Sequence, residues 1–98
     1  MKLKHESLGT SVELADELLQ RHVEAFFLNL RELSGGNEAM FDLSAPENSG
    51  NAIRAACEAK IILDMDSSDV ENMSPASIFW LAPQIDQILR EALEVPPE

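Results

Sequence analysis

The 98-residue chain has few basic residues, one cysteine and few aromatic side chains. Seven Lys or Arg stand against 18 Asp or Glu, so the formal net charge at pH 7 is −11. Proteins that bind duplex nucleic acid neutralise its phosphates with clustered Lys and Arg, and anionic membrane surfaces attract the same residues. The lack of a basic cluster therefore argues against direct binding to nucleic acid or to a membrane surface.

The single cysteine, Cys57, excludes a disulfide within the chain. It lies in the small-residue run from Ala55 to Ala59, which predicts a buried and unreactive thiol, because a catalytic thiol needs a nearby imidazole and a cationic setting. No apolar run is long enough to span a membrane, and the N-terminal residues lack the apolar stretch of a signal peptide. We therefore expect a protein of a reducing cytoplasm.

Motifs for catalysis are also lacking. The sequence has no glycine-rich phosphate loop, no spacing typical of metal ligands and no nucleophile motif. The acidic run beginning at Asp64 invites a calcium interpretation, but an EF-hand needs glycine at position 6, where Asp69 stands, and glutamate at position 12, where Pro75 stands. We expect no enzymatic activity, no metal and no cofactor, and His22 is expected on a helix surface.

The length suits one domain over residues 1–98. Weak alternation with a turn near Gly9 predicts a β-hairpin at about 2–14, although Thr10 to Glu13 also has the form of a helical capping box. A stripe with a period near 3.6 predicts a helix at about 16–34, with Asp16 as the N-cap and the Gly35-Gly36 pair at its end.

The middle of the chain is predicted to be less regular. Residues 35–50 form the longest irregular stretch, which predicts a mobile loop. Met40, Phe41 and Leu43 within it either anchor the loop to the core or await a partner. An alanine-rich segment predicts a second helix at about 51–63, followed by an acidic linker at 64–73.

The last helix is predicted at about 75–94, since a capping serine precedes Pro75. Pro83 removes one backbone hydrogen bond and predicts a bend near Leu81-Ala82. Phe79 and Trp80 are adjacent, so they are either both buried between the hairpin and the first helix or they form a contact for a partner. The predicted fold class is α+β, mainly α, with an N-terminal hairpin followed by three helices.

Several segments of the second half resemble the small tail assembly chaperones of long-tailed bacteriophages. The resemblance covers roughly residues 50–98, and its motif residues are of common types. It rests on Gly50-Asn51-Ala52-Ile53-Arg54-Ala55-Ala56, the acidic linker, Val70-Glu71-Asn72-Met73-Ser74-Pro75, Trp80-Leu81-Ala82 and the closing Val95-Pro96-Pro97-Glu98. The chain departs from the family pattern at two positions. Lys60 stands where the family has a glycine soon after the small-residue helix, and Pro83 stands where an acidic residue is favoured.

This resemblance implies a non-enzymatic role. Such chaperones coat the tape measure protein, recruit tail tube subunits to it, self-associate along it and are absent from the finished virion. Many are made in two lengths through a ribosomal frameshift. A holding chaperone needs exposed apolar surface and a like charge that keeps it soluble. The candidate protein-binding residues are Met40, Phe41, Phe79 and Trp80.

Two other interpretations stay open at this point. The charge of −11 also suits a small acidic phage inhibitor, an anti-CRISPR or DNA mimic that binds a basic host protein. Its candidate mimicking carboxylates are Asp64, Asp66, Asp69 and Glu71. The third interpretation is a structural or adaptor component that is retained in the phage particle.

Overall fold

A computed structural model describes residues 1–97 and shows an N-terminal antiparallel hairpin followed by three helices. The elements in chain order are β1 (Lys2–His5), β2 (Thr10–Glu13), α1 (Gln20–Ser34), α2 (Pro46–Glu58) and α3 (Pro75–Leu93), with short 3₁₀ helices at Glu38–Phe41 and Ser67–Asn72. The predicted fold class, α+β and mainly α, is confirmed. The radius of gyration is 13.0 Å, which is typical of a folded domain of about 100 residues.

The hairpin pairs Leu3 with Val12 and His5 with Thr10. Gly9 makes the turn with φ of 65°, and its N–H donates to the carbonyl of Glu6 at 3.0 Å. A positive φ is a conformation that glycine adopts without a steric cost. Since residues 10–13 form a strand, the alternative of a helix start at Thr10 is wrong.

The second strand also pairs with the chain that follows α2. The N–H of Leu63 donates to the carbonyl of Glu13 at 2.8 Å, and that of Ala15 donates to Ile61 at 2.9 Å. Leu14 and Ile62 form an isolated antiparallel bridge between these two bonds. The outer edge of β2 is therefore covered, and the hairpin is attached to the end of α2.

Helix α1 begins later than predicted, at Gln20 rather than at 16, and Asp16 does not cap it. Instead, the Asp16 carboxylate accepts a hydrogen bond from the Met1 ammonium at 2.6 Å, an ion pair that lowers the Asp16 pKa below its ordinary value. The N-cap position belongs to Leu19, whose N–H donates to Nδ1 of His22 at 2.9 Å. The predicted end is confirmed, because Gly35 has φ of 68°.

Helix α2 departs most from the prediction, since it spans Pro46–Glu58 rather than 51–63. The predicted loop at 35–50 therefore contains a 3₁₀ helix and the first turns of α2. Pro, Asn, Ser and Gly are poor interior helix formers, but tertiary contacts outweigh that preference here. The Ser49 hydroxyl donates to the carbonyl of Leu43 at 2.7 Å, and the Asn48 amide donates to those of Ala39 and Asp42 at 2.8 and 3.0 Å.

The residue that follows the C-cap of α2 is a lysine in the left-handed backbone conformation. Lys60 has φ of 62° and is the one non-glycine residue among 1–97 with a positive φ. Its N–H donates to Cys57 at 3.1 Å, while that of Ile61 donates to Ala56 at 2.9 Å. This pair of bonds is the Schellman arrangement that usually ends on glycine. It stops the helix before the predicted residue 63 and turns Ile61 and Ile62 into the core.

The core is built around α2, which packs against both α1 and α3. Its buried residues lie on nearly all of its sides, namely Ser49, Gly50, Asn51, Ala52, Ile53, Ala55, Ala56 and Cys57. Small residues let neighbouring helices approach closely, and Phe26 and Leu30 of α1 fill one side, while Leu81 and Ile85 of α3 fill another.

Helix α3 begins as predicted, since the Ser74 hydroxyl accepts from the N–H of Ser77 at 3.2 Å and Pro75 occupies the first helical position. It ends at Leu93 and continues through Pro83, whose bend stays a prediction. The predicted acidic linker at 64–73 contains the 3₁₀ helix Ser67–Asn72, which buries Val70 against α2.

We expect Lys60→Gly to stabilise the chain by about 0.5–1 kcal/mol, because glycine removes the steric cost of the left-handed conformation. Gly35→Ala is the matched control. Its added Cβ meets no heavy atom within 4 Å among the described residues, so its expected loss of about 1 kcal/mol comes from the backbone alone. Urea unfolding measures both free energies, and a destabilised Lys60→Gly variant would contradict the expectation.

Candidate protein-binding groove

An open cavity of about 260 Å³ lies between α1, the Glu38–Phe41 turn and the end of α3. We call it the apolar groove. Its lining residues are Phe26, Phe27, Leu30, Met40, Phe41, Leu43, Ala52, Asp86, Leu89, Arg90 and Leu93. Nine of these eleven are hydrophobic, and the two charged residues both come from α3. A concave, mostly apolar surface with few polar groups is typical of binding sites.

Three aromatic rings run from the core to the mouth of the apolar groove. Phe27 lies between Phe26, at a ring-centroid distance of 5.3 Å, and Phe41, at 6.0 Å, both in edge-to-face contact. Phe26 is buried, whereas Phe41 is 50% exposed. Edge-to-face pairs stabilise such ring contacts beyond the area that they bury. The exposed ring is therefore held in place by its neighbours.

The turn that carries Met40 and Phe41 is fixed by short-range polar contacts. The Asn37 side chain accepts from the N–H of Ala39 at 2.9 Å, and the Asn48 amide of α2 donates to the carbonyl of the same residue. The Ser34 hydroxyl donates to the Met40 sulfur at 3.4 Å. The two predicted candidate residues are thus positioned on a turn that both α1 and α2 hold.

The structure divides the four predicted contact residues between two places. Met40 and Phe41 line the apolar groove, whereas Trp80 contacts the hairpin, with its ring 5.5 Å from that of His5. Trp80 is half-buried and Phe79 is 42% exposed. The interpretation that both are buried is wrong for Phe79, because consecutive helical residues point in directions about 100° apart.

The structure adds residues that were not singled out as contacts. Phe26 and Phe27 belong to α1, and Leu93 belongs to the last turn of α3. The signal for Phe27 was its adjacency to Phe26, since two consecutive bulky residues on a helix do not face the same core. Leu93 is 56% exposed at the mouth of the apolar groove, and the sequence around it gives no comparable signal.

Cys57 is buried, as predicted. Burial, together with the negative charges of Asp69 and Glu58, raises its pKa to about 11. Two of the exposed acidic side chains in this region also accept hydrogen bonds from backbone N–H groups. Asp64 accepts from the N–H of Glu13 at 2.9 Å, and Asp69 accepts from that of Asp66 at the same distance. Across residues 1–97, no group of three or more His, Cys, Asp and Glu could hold a metal ion.

None of the helices within residues 1–97 has the length and apolar character needed to cross a membrane. Comparison with known proteins finds no protein-family model, no curated protein and no solved structure that matches the chain.

We expect native Cys57 to react with a thiol reagent at pH 8 at least about 100-fold more slowly than in the unfolded chain. Its pKa of about 11 leaves about one hundredth of the thiolate that an ordinary value of 9.0 allows, and burial slows access further. The raised pKa also means that stability falls as pH rises from about 9 through 11. Labelling kinetics with and without urea measure the first effect, and equal rates would contradict it.

Phe41→Ala and Phe26→Ala should differ sharply in their cost. Truncating half-exposed Phe41 is expected to lower the free energy of unfolding by less than about 1 kcal/mol. Truncating Phe26, which is 4% exposed, should cost about 3–4 kcal/mol because it leaves a cavity. Thermal and urea unfolding measure both costs. An equal loss for the two variants would show that Phe41 is part of the core and not of a free surface.

Proposed function

We propose that this chain is a non-enzymatic tail assembly chaperone of a long-tailed bacteriophage, which binds the tape measure protein and assists assembly of the tail tube. The observation that carries the proposal is the apolar groove, with Phe41 and Leu93 more than one-third exposed at its mouth. The proposed place of action is the cytoplasm of the host cell, and the chain is not expected in the mature virion.

A holding chaperone must expose apolar surface without aggregating. In the apolar groove, contacts to Phe27 and to the held turn support the exposed Phe41 ring. The net charge of −11 makes copies of the chain repel one another at long range. The combination supports reversible holding of an apolar client.

The resemblance over residues 50–98 supports the same proposal. The matching segment from Gly50 to Ala56 forms most of α2 and includes Ala52, which contributes to the floor of the apolar groove. The Val70–Pro75 segment leads into α3, whose last turns form one wall. Phe79 and Trp80, which lie outside the apolar groove, remain candidates for a second contact, with tail tube subunits or with another copy of the chain.

The acidic inhibitor is less well supported. A nucleic-acid mimic needs carboxylates that face a basic partner, and Asp64 and Asp69, although exposed, also accept hydrogen bonds from the backbone N–H groups of Glu13 and Asp66. Those bonds give two of the four candidate carboxylates a structural role. The chaperone proposal uses the apolar groove, for which the mimic has no need.

Co-expression with the tape measure protein of the same phage tests the proposal. We expect the wild-type chain to keep that protein soluble and to co-purify with it, while Phe41→Ala loses at least about 10-fold in recovered complex, since aromatic anchors dominate most interfaces. Leu28→Ala is the matched control, because Leu28 is 56% exposed on α1 but does not line the apolar groove.

Two results would overturn the proposal. One is a tape measure protein that remains insoluble with the wild-type chain present. The other is a complex that Phe41→Ala and Leu28→Ala preserve equally well, since the apolar groove would then have no part in holding the client.

A further inference from the structure

The charge around the apolar groove is one-sided. The segment 38–47, which carries Met40 and Phe41, contains three acidic residues, all exposed, and no Lys or Arg; they are Glu38, Asp42 and Glu47. The end of α3, residues 86–94, contains three acidic residues against one basic, namely Asp86, Glu91 and Glu94 against Arg90. These two segments therefore have formal charges of −3 and −2.

Arg90, the single basic residue that lines the apolar groove, does not offset the negative charge of segments 38–47 and 86–94. Arg90 is already paired with Asp86 through an Nε to Oδ2 hydrogen bond of 2.7 Å, so it does not offset Glu91 and Glu94. The remaining wall, α1, is balanced, with Arg21 and Arg31 against Glu24 and Glu32. The acidity is thus concentrated on the two segments that contribute Met40, Phe41 and Leu93 to the groove lining.

The shape of the apolar groove suits one helix. Its walls are two helices and a short turn, and its floor is a line of aromatic and aliphatic side chains. A groove between helices commonly receives the apolar face of a third helix through side chains spaced one turn apart. An extended strand would instead need unpaired backbone donors and acceptors on a sheet edge, and the groove walls are helical.

We propose that the apolar groove receives a single amphipathic helix of the partner, with an apolar face on the phenylalanine rings and Lys or Arg along its flanks. The basic flanks lie against the acidic segments 38–47 and 86–94, where unlike charges attract and orient the helix. This inference rests on the proposed function and names the chemistry of the client segment.

A second copy of the chain is a poor occupant of the same groove. Each copy has a net charge of −11, and helices α2 and α3 each carry more acidic than basic residues. Like charges across an interface oppose association. The charge pattern therefore favours a basic partner helix over self-association at this surface.

Two synthetic peptides of about 18 residues, enough for about five helical turns, test the proposal. Both carry leucine at i, i+3, i+4 and i+7, and they differ only in having Lys or Glu on the flanks. Fluorescence anisotropy with the full chain should show that the Lys peptide binds at least about 10-fold more tightly at 50 mM salt, with a smaller preference at 500 mM salt.

Two variants separate the apolar and the charged contributions. Phe41→Ala should weaken binding of the Lys peptide at least about 10-fold at either salt concentration. The triple variant Glu38→Gln, Glu91→Gln, Glu94→Gln should weaken it about 5-fold or more, and only at low salt. Its matched control, Glu6→Gln, Glu17→Gln, Glu71→Gln, removes the same charge elsewhere and should have a much smaller effect.

The outcomes distinguish this inference from the proposed function. Equal binding of the two peptides, or equal effects of the two triple variants, would overturn the basic-helix inference even if the tape measure protein is kept soluble. Failure to hold the tape measure protein, with Lys-peptide binding intact, would overturn only the proposed function. Self-association lost in Phe41→Ala, with no peptide bound, would assign the groove to a second copy and overturn the inference.

Discussion

Burial of α2 on nearly all of its sides is the constraint on which the rest of the structure depends. Eight of its thirteen residues are buried, most of them small, and the side chains of Ser49 and Asn51 are hydrogen-bonded internally. Helices α1 and α3 then pack on it from different sides, and the hairpin is joined to the segment that follows it. The apolar groove lies where α1 and α3 leave part of this arrangement uncovered.

Local signals in the sequence were sufficient where one residue decides the backbone conformation. The Gly35-Gly36 pair ended α1 and the Ser74-Pro75 pair began α3 as predicted. They were insufficient where tertiary contacts decide. Helix α2 begins among poor helix formers because Asn48 and Ser49 bond to the preceding segment. It is terminated by Lys60 in the left-handed conformation, which a lysine in the sequence does not predict. Asp16 was predicted as the N-cap of α1, but its carboxylate binds the Met1 ammonium instead.

The candidate site shows the same division. Met40 and Phe41 were identifiable because apolar residues in a polar stretch need an explanation. The position of the groove was not identifiable, since the groove is lined by the end of α3 and by the Glu38–Phe41 turn, which are more than 40 residues apart in the sequence. Phe79 and Trp80 shared the aromatic signal, but neither lines that site, and Trp80 contacts His5 of the hairpin instead.

The pairing of β2 with residues 61–63 has a consequence for the order in which the chain acquires structure. Until the ribosome has released those residues, Val12 and Leu14 have no completed core to enter, and one edge of the hairpin has unpaired backbone groups. Contacts between segments that are distant in sequence form late, because a long loop must close first. The first strands to be synthesised are therefore among the last to be secured. During that interval the nascent chain itself exposes an unpaired strand edge beside Val12 and Leu14, the same kind of hazard that a holding chaperone covers.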